Sequence, residues 1–372
     1  MNDNIFVKLG DVAHECRLTW SGDQTNIPIV GLEHLVPGEI ELSSWDSNIE
    51  HTFSKKFTKG QVLLGRRRVY LKKAVVAPCD GICSGDITVI ESTGGILPEL
   101  LPFVVQNDRF FDYAMQGSAG SLSPRVKWEH LKNYEFPLPH LTEQKVLADK
   151  LWAAYRLKES YKKLLAATEE MVKSQFIEIF GTIDEPKVEV KKLIDVVLSS
   201  GQYGSNTSAT DYQEGKPRYI RITDINDDGS LNDDIKTAEV IEDKYRLIPG
   251  DIVFAKTGAT VGKTYMHETG NAIYAGYLIK YQMNESKMKP AFMKAFTHSK
   301  TYYNWVANSQ KVGAQPNISA AQYDNMPVLV PQIEKQEEFL TIYHQADKSG
   351  FELRKSIEAI DKVIKSLVNV NL

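Results

Sequence analysis

Residues 136–155 read FPLPHLTEQKVLADKLWAAY, and residues 328–347 read VLVPQIEKQEEFLTIYHQAD. The two strings align at an offset of 192: Pro139 falls on Pro331, Leu141 on Ile333 and Gln144 on Gln336, with Asn133 on Asn325 just upstream. An internal repeat of this kind governs how everything else in the chain is read. Further strings recur at nearby offsets. VKLGDV from Val7 resembles KKLIDV from Lys191, FTKGQVLLGR from Phe57 resembles LIPGDIVFAK from Leu247, and IPIVGLEHL from Ile27 resembles PRYIRITDI from Pro217. The chain is therefore written twice.

Each copy has the same layout. A mixed segment comes first, with short apolar runs (VVAP, GDITVI, DIVFA, YLIKY) punctuated by Gly, Pro and Asn, the pattern of strands and turns. Prolines then discourage helix at the boundary. A charged, glycine-poor stretch follows. This predicts α/β domains over 1–141 and 182–331, separated by long helices over 142–181 and 332–372. In the second stretch apolar residues recur at spacings of 4 and 3: Phe339, Tyr343, Ala346, a lapse at Gly350, then Leu353, Ile357, Ile360, Ile364 and Leu367. The first stretch repeats the phase with Leu147, Leu151, Ala154, a lapse at Lys158, then Tyr161, Leu165, Thr168, Val172 and Gln175. A shared seam predicts that the two helices pair as an antiparallel coiled coil. Two independent amphipathic helices, each packed on its own domain, are the plainer alternative. Thirty-five helical residues would span roughly 52 Å at 1.5 Å each.

Composition sets the class. The 372 residues carry 44 Lys plus Arg and 48 Asp plus Glu, a net charge of -4, with 42% hydrophobic and 25% charged residues. That is ordinary globular composition, which excludes a disordered tail, a collagen-like chain and a globally basic DNA coat. Three cysteines cannot make a disulfide framework and fit a reducing, cytoplasmic setting. The first 25 residues lack a secretory apolar core, and no apolar run is long enough for a membrane span.

The joined pattern resembles the specificity subunit of type I restriction–modification systems. The strings that carry the resemblance are PLPHLTEQ and LVPQIEKQ at the helix starts, KLGDV and KLIDV at the domain openings, PGDIVFAKTGATVGK, and GAQPNIS. It covers essentially the whole chain. It implies two target recognition domains on a coiled-coil spacer, each reading one half of a split double-stranded DNA target. It also implies docking of two methyltransferase subunits, which bring the methyl donor and flip the target adenine, and of restriction subunits for cleavage. The first domain departs from the pattern, with GRRRVYLKK against AKTGATVGK and GSLSPRV against GAQPNIS.

Candidate DNA contacts follow the charge. Residues 55–73, KKFTKGQVLLGRRRVYLKK, hold eight basic residues and no acid, within a first domain carrying 14 basic against 17 acidic residues over 1–141. Arg66, Arg67 and Arg68, with Tyr70 and Lys72, are suited to guanine edges or phosphates; a solvated basic turn is the bland alternative. The corresponding second-domain segment offers Lys256, Thr257, Thr260 and Lys263 on a glycine-rich hairpin. It is not a nucleotide-binding P-loop: only three residues separate Gly258 from Gly262, and Thr257 stands where the first glycine is required. In the loop matching the family's GAQPNIS, Gln315 and Asn317 suit adenine edges, although Pro316 and Asn317 are also ordinary turn formers. The first-domain counterpart supplies Ser118, Ser121 and Arg125. Arg218 and Arg221 form a lesser cluster.

Catalytic chemistry is not legible. There is no Asn/Asp-Pro-Pro-aromatic string for a methyltransferase, no dinucleotide fingerprint and no nucleophile–base pattern. Cys16 lies near His14, and Cys79 near Cys83, but four zinc ligands at a recognised spacing are missing, so idle thiols and no metal or cofactor are expected. The reading is a reader without its own chemistry, with outer helix faces around Tyr155, Lys162, Leu164, Met171 and Phe351 turned toward protein partners. The alternative is a tandem-repeat scaffold that binds proteins and no DNA.

Overall fold

The computed structural model describes residues 5–118, 123–309 and 316–372. The chain divides into two units, Met1–Lys163 with Leu353–Leu372, and Leu164–Glu352. Both long helices, Leu141–Phe180 and Ile333–Asn371, are cut by this division, so each unit is one mixed domain plus a part of each helix.

In the first unit four antiparallel strands stand in the order Ala13–Cys16, Ile87–Ser92, Val62–Gly65 and Ala74–Val76. Val62–Gly65 is central and wholly buried, as its unbroken apolar run requires. Beside it Ile29–Val30 runs parallel to Gly81–Cys83, which pairs antiparallel with Lys55–Phe57. The domain closes on itself where Ile5–Lys8 pairs with Glu135–Leu138, immediately before the long helix.

The second unit repeats the plan. Gln202–Tyr203, Leu278–Gln282, Asp251–Ala255 and Thr264–Met266 take the same order, Arg218–Ile220 runs parallel to Ala272–Tyr274, and Glu189–Lys192 closes on Pro327–Val330. The repeated turns share their stereochemistry. Gly60 and Gly250 precede the two central strands with φ of +88° and +92°, a region in which a side chain is strained. Asp11 and Asp195 each accept the backbone N–H of the lysine three residues earlier, at 3.2 and 3.1 Å.

The helices pair within both units. In the first, Leu147, Leu151 and Tyr155 share a core with Ile364, Leu367, Val368 and Leu372. In the second, the Phe176 and Phe180 rings meet Phe339 at 5.4 and 5.5 Å. Early residues of one helix thus meet late residues of the other in both units, the antiparallel arrangement. The seam lapses mean different things. Lys158 is buried in the first unit with Nζ 2.7 Å from Asp361 Oδ1; at Gly350 there is no side chain to pair.

Two sequence expectations need correction. Tyr155 does not face outward: it is buried, because Glu41 N–H donates to its hydroxyl at 3.3 Å and its ring lies edge-on to Trp152. Lys162 turns inward to ion pairs with Glu39 at 2.5 Å and Glu159 at 3.0 Å. Aromatic and long side chains reach apolar surface on their own domain that a seam defined by spacing alone ignores. Leu157, Leu164, Met171 and Phe351 are exposed.

Candidate nucleic-acid interface

The chain leaves the central strand of the first unit at Arg66, makes a single turn over Val69–Leu71, and returns along Ala74–Val76. This loop is clamped to the segment before Trp128. Arg68 N–H donates to Pro124 O at 2.8 Å, Val126 N–H to Arg66 O at 3.0 Å, and Arg67 bridges Arg125. The second unit reproduces the clamp residue for residue. Gly258 N–H donates to Pro316 O at 3.0 Å, Ile318 N–H to Lys256 O at 2.8 Å, and Thr257 bridges Asn317. Arg66 therefore corresponds to Lys256, Arg67 to Thr257, Arg68 to Gly258 and Arg125 to Asn317.

The same frame carries different chemistry. In the first unit Asp86 organises the arginines. Arg125 Nε donates to its Oδ1 at 2.7 Å, and Arg67 Nη1 lies 3.5 Å from Oδ2 while Arg67 Nε donates to Ser123 Oγ at 2.5 Å. The hydrogen bond from Arg125, and then the charges of Arg125, Arg67 and Arg66, hold the Asp86 carboxyl below its usual range. Arg66, Arg67 and Arg125 together outnumber that one carboxylate. Arg68 and Tyr70 are exposed, and among the described residues no acid pairs with Arg68. Lys72 pairs with Asp108 at 2.5 Å. The Arg66 Nε is buried without a partner among the described residues.

Arg68 and Lys72 sit at φ of +52° and +51°. Left-handed backbone costs a side-chain-bearing residue roughly 1–2 kcal/mol. The corresponding second-unit residues are Gly258 and Gly262, at φ of +71° and +86°. Glycine is the undemanding choice at both positions, and at Gly262 a Cβ would lie 2.7 Å from Val306 Cγ1. The first unit places cations where the backbone disfavours any side chain.

The second unit has a cation held between aromatic rings. Lys256 Nζ lies 4.7 Å from the Tyr203 ring centroid and 5.7 Å from that of Tyr277, both exposed tyrosines. Thr257 Oγ1 donates to Pro316 O at 3.2 Å and Thr260 Oγ1 to Thr257 O at 3.2 Å, so both hydroxyls brace the loop. Lys263 reaches Ile225 O at 3.3 Å and Asp227 at 2.7 Å. Asn317 is exposed beside Thr257.

Other candidates stand apart from this clamp. Arg221 is tied to fully buried Asp224 at 2.5 Å and to Asp234 at 2.9 Å, and Arg218 donates to Asn232 O at 2.6 Å. Both guanidiniums brace their own domain. Ser118 follows the helix Asp108–Gln116, its Oγ buried without a partner among the described residues. Ser121 and Gln315 lie outside the described residues. Sequence reasoning missed Asp86, Ser123, Tyr203 and Tyr277. The first and last were accessible: Gly85-Asp86-Ile87 and Gly276-Tyr277-Leu278 open the corresponding strands.

Comparison with known proteins places the chain. The model of the family described as type I restriction modification DNA specificity domain matches residues 185–361. The chain is 22% identical over 305 residues to the type I restriction enzyme EcoBI specificity subunit of Escherichia coli, covering 70% of this chain and 64% of that one. It is 30% identical over 119 residues to the EcoDI specificity subunit of Escherichia coli, covering 30% and 26%. The chain thus spans less than two thirds of the length of these curated relatives. Among solved structures it is similar to the crystal structure of the type I restriction-modification system S subunit from M. genitalium, with a TM-score of 0.59, 12% identity and coverage of 99% and 96%. A chain from a structure on complex assembly and conformational transition of the type I R-M system gives a TM-score of 0.54 at 17% identity, covering 98% and 96%. At these identities the structural likeness speaks for the fold, which is the duplicated fold described above. With the matched domain over residues 185–361 and the curated relatives, it makes the chain similar to the specificity subunits of type I restriction–modification systems.

Proposed function

We propose that the chain is a non-catalytic DNA reader that recognises a split, asymmetric target, one half-site per domain, and that presents it to methyltransferase and restriction subunits. The observation that carries this reading is the pair of clamps: one backbone frame used twice, bearing Arg67 and Arg125 in the first unit and Thr257 and Asn317 in the second. Arginine forks onto guanine edges and asparagine onto adenine edges, each worth about 1–3 kcal/mol of discrimination. A cation such as Arg68, exposed and with no acid paired to it among the described residues, adds sequence-independent phosphate contacts and a steep salt dependence. The exposed apolar residues Leu157, Leu164 and Met171 on the central helix suit protein partners.

The test is the methylation pattern of a host carrying the assembled system. Exchanging residues 182–331 for another family member's domain is expected to change one half of a split motif and leave the other half intact. A change in both halves, or in neither, would refute the assignment of one half-site to each domain. The scaffold alternative requires that neutralising Arg67 and Arg68 leave DNA retention by the complex unaltered; under the reading proposed here, retention falls.

A further inference from the structure

The strand Ala13–Cys16 places His14 and Cys16 two residues apart, hence on one face of the sheet. The neighbouring strand Ile87–Ser92 sets Glu91 directly opposite His14 in the antiparallel ladder. Three donors of different chemistry therefore converge from two strands. His14 Nε2 is 3.6 Å from Cys16 Sγ, Cys16 Sγ is 3.2 Å from Glu91 Oε2, and Glu91 Oε2 is 4.0 Å from His14 Nε2. Sulfur, nitrogen and oxygen ligands around tetrahedral zinc, at the usual bond lengths, stand about 3.4–3.6 Å from one another. The triangle's edges of 3.2, 3.6 and 4.0 Å bracket these values, so small side-chain shifts close it around an ion.

A buried amide supports the triangle from behind. Gln61 Oε1 accepts the Thr58 N–H at 2.8 Å, which fixes the amide orientation. Its Nε2 then faces both ligand atoms, 3.1 Å from Glu91 Oε2 and 3.4 Å from Cys16 Sγ. A fixed donor on a carboxylate and a sulfur is the arrangement that orients metal ligands from the outer shell. The side chains of His14 and Glu91 are half exposed, so the fourth corner opens to water. The repeat supplies a contrast. The registers Val62↔Ile90 and Ile252↔Tyr281 put Asp251 and Gln282 where the first unit has Gln61 and Glu91, so the second unit lacks this constellation.

We infer that His14, Cys16 and Glu91 form a binding site for a single zinc-class divalent cation, with water as its fourth ligand. On binding, the Cys16 S–H proton is released to solvent and the thiolate ligates the metal. The ion would clip the strand Ala13–Cys16 to Ile87–Ser92 in the first unit alone.

Titration of the full-length chain with Co2+ tests this. One equivalent is expected to bind with a thiolate-to-cobalt charge-transfer band and visible bands of tetrahedral intensity, and Zn2+ is expected to displace it. Cys16→Ser is expected to abolish the charge-transfer band, and His14→Ala to weaken binding by at least about tenfold; Cys79→Ser is expected to change nothing. His14 is half exposed, so its variant reports even if the buried cysteine variant fails to fold. Absence of the charge-transfer band in the unsubstituted chain, its loss in Cys79→Ser, or unaltered affinity in His14→Ala would overturn the site.

Discussion

Gln144 and Gln336 make the same hydrogen bonds in their respective units. Each Nε2 donates to the carbonyl of a proline five residues back, Pro139 at 3.0 Å and Pro331 at 2.9 Å. Each Oε1 accepts a backbone N–H from its own domain, Leu97 at 2.9 Å and Lys289 at 2.8 Å. Both side chains are buried, so each amide rivets the first turn of a long helix to a globular domain. Replacing either by Ala leaves buried backbone groups unpaired at about 1–3 kcal/mol for each polar group orphaned. Gln144→Ala and Gln336→Ala are each expected to lower the unfolding midpoint clearly, and Gln336→Ala to destabilise the second unit selectively, as hydrogen exchange measured domain by domain would resolve.

The ion pair of buried Lys158 with partly exposed Asp361 predicts an asymmetry between two substitutions. Both Lys158→Ala and Lys158→Met leave the Asp361 carboxylate unpaired, but Lys158→Met keeps the apolar stem whereas Lys158→Ala also leaves a cavity. Removing one partner of an ion pair is destabilising, while apolar replacement of both partners is often close to neutral. Asp361 keeps part of its hydration, with 42% of its side chain exposed, so Lys158→Met is expected to be destabilised less than Lys158→Ala in denaturant unfolding, and the double variant Lys158→Met/Asp361→Leu to lie within about 1 kcal/mol of the parent.

Arg68→Gly should separate stability from binding. Relief of the left-handed backbone is expected to raise stability by roughly 1 kcal/mol, partly offset by the greater freedom of glycine in the unfolded chain. Loss of the cation is expected to weaken DNA binding by the assembled complex and to reduce the salt slope by about one. Thermal unfolding together with binding titrations at several salt concentrations reads both effects.

Acid sensitivity should trace to Asp86. Its carboxyl is held low in the folded state by the hydrogen bond from Arg125. The unfolded chain then binds more protons near pH 4, so stability rises with pH through that region. The contribution is fully present above the unfolded value of about 3.9 and is lost as pH falls through the lower folded value. Asp86→Asn is expected to flatten the acid limb of a stability-versus-pH curve below about pH 4 and to leave its neutral part parallel to that of the parent.

Much of the architecture was legible because duplication marks corresponding elements twice. The helix starts and the paired seam follow from strings that recur, whereas the closure of each domain by its first and last strands was not read from them. The Phe176–Phe180–Phe339 cluster was less visible, because Gln175 fits the heptad phase while its neighbour Phe176 takes the buried place in the second unit. The clamp was half legible. Charge singled out Arg66, Arg67 and Arg68, but the sequence could not say that Arg125 and Arg67 share Asp86, a contact spanning 39 residues. Nor could it separate Arg221, whose charge is consumed by Asp224, from cations left facing solvent. Backbone sign was hidden as well: the left-handed turn is written as glycine in one copy and as Arg68 and Lys72 in the other.

The division through both long helices governs the order of assembly. Val368 and Leu372 complete the apolar interior of the first unit, so that unit draws on residues translated after the entire second unit. A nascent chain on the ribosome has the residues of the first sheet early but lacks part of the cover over Leu147 and Leu151 until Val368 and Leu372 have been made. Removal of Val368 and Leu372 is accordingly expected to loosen the first unit, although these residues lie farthest from it in the sequence.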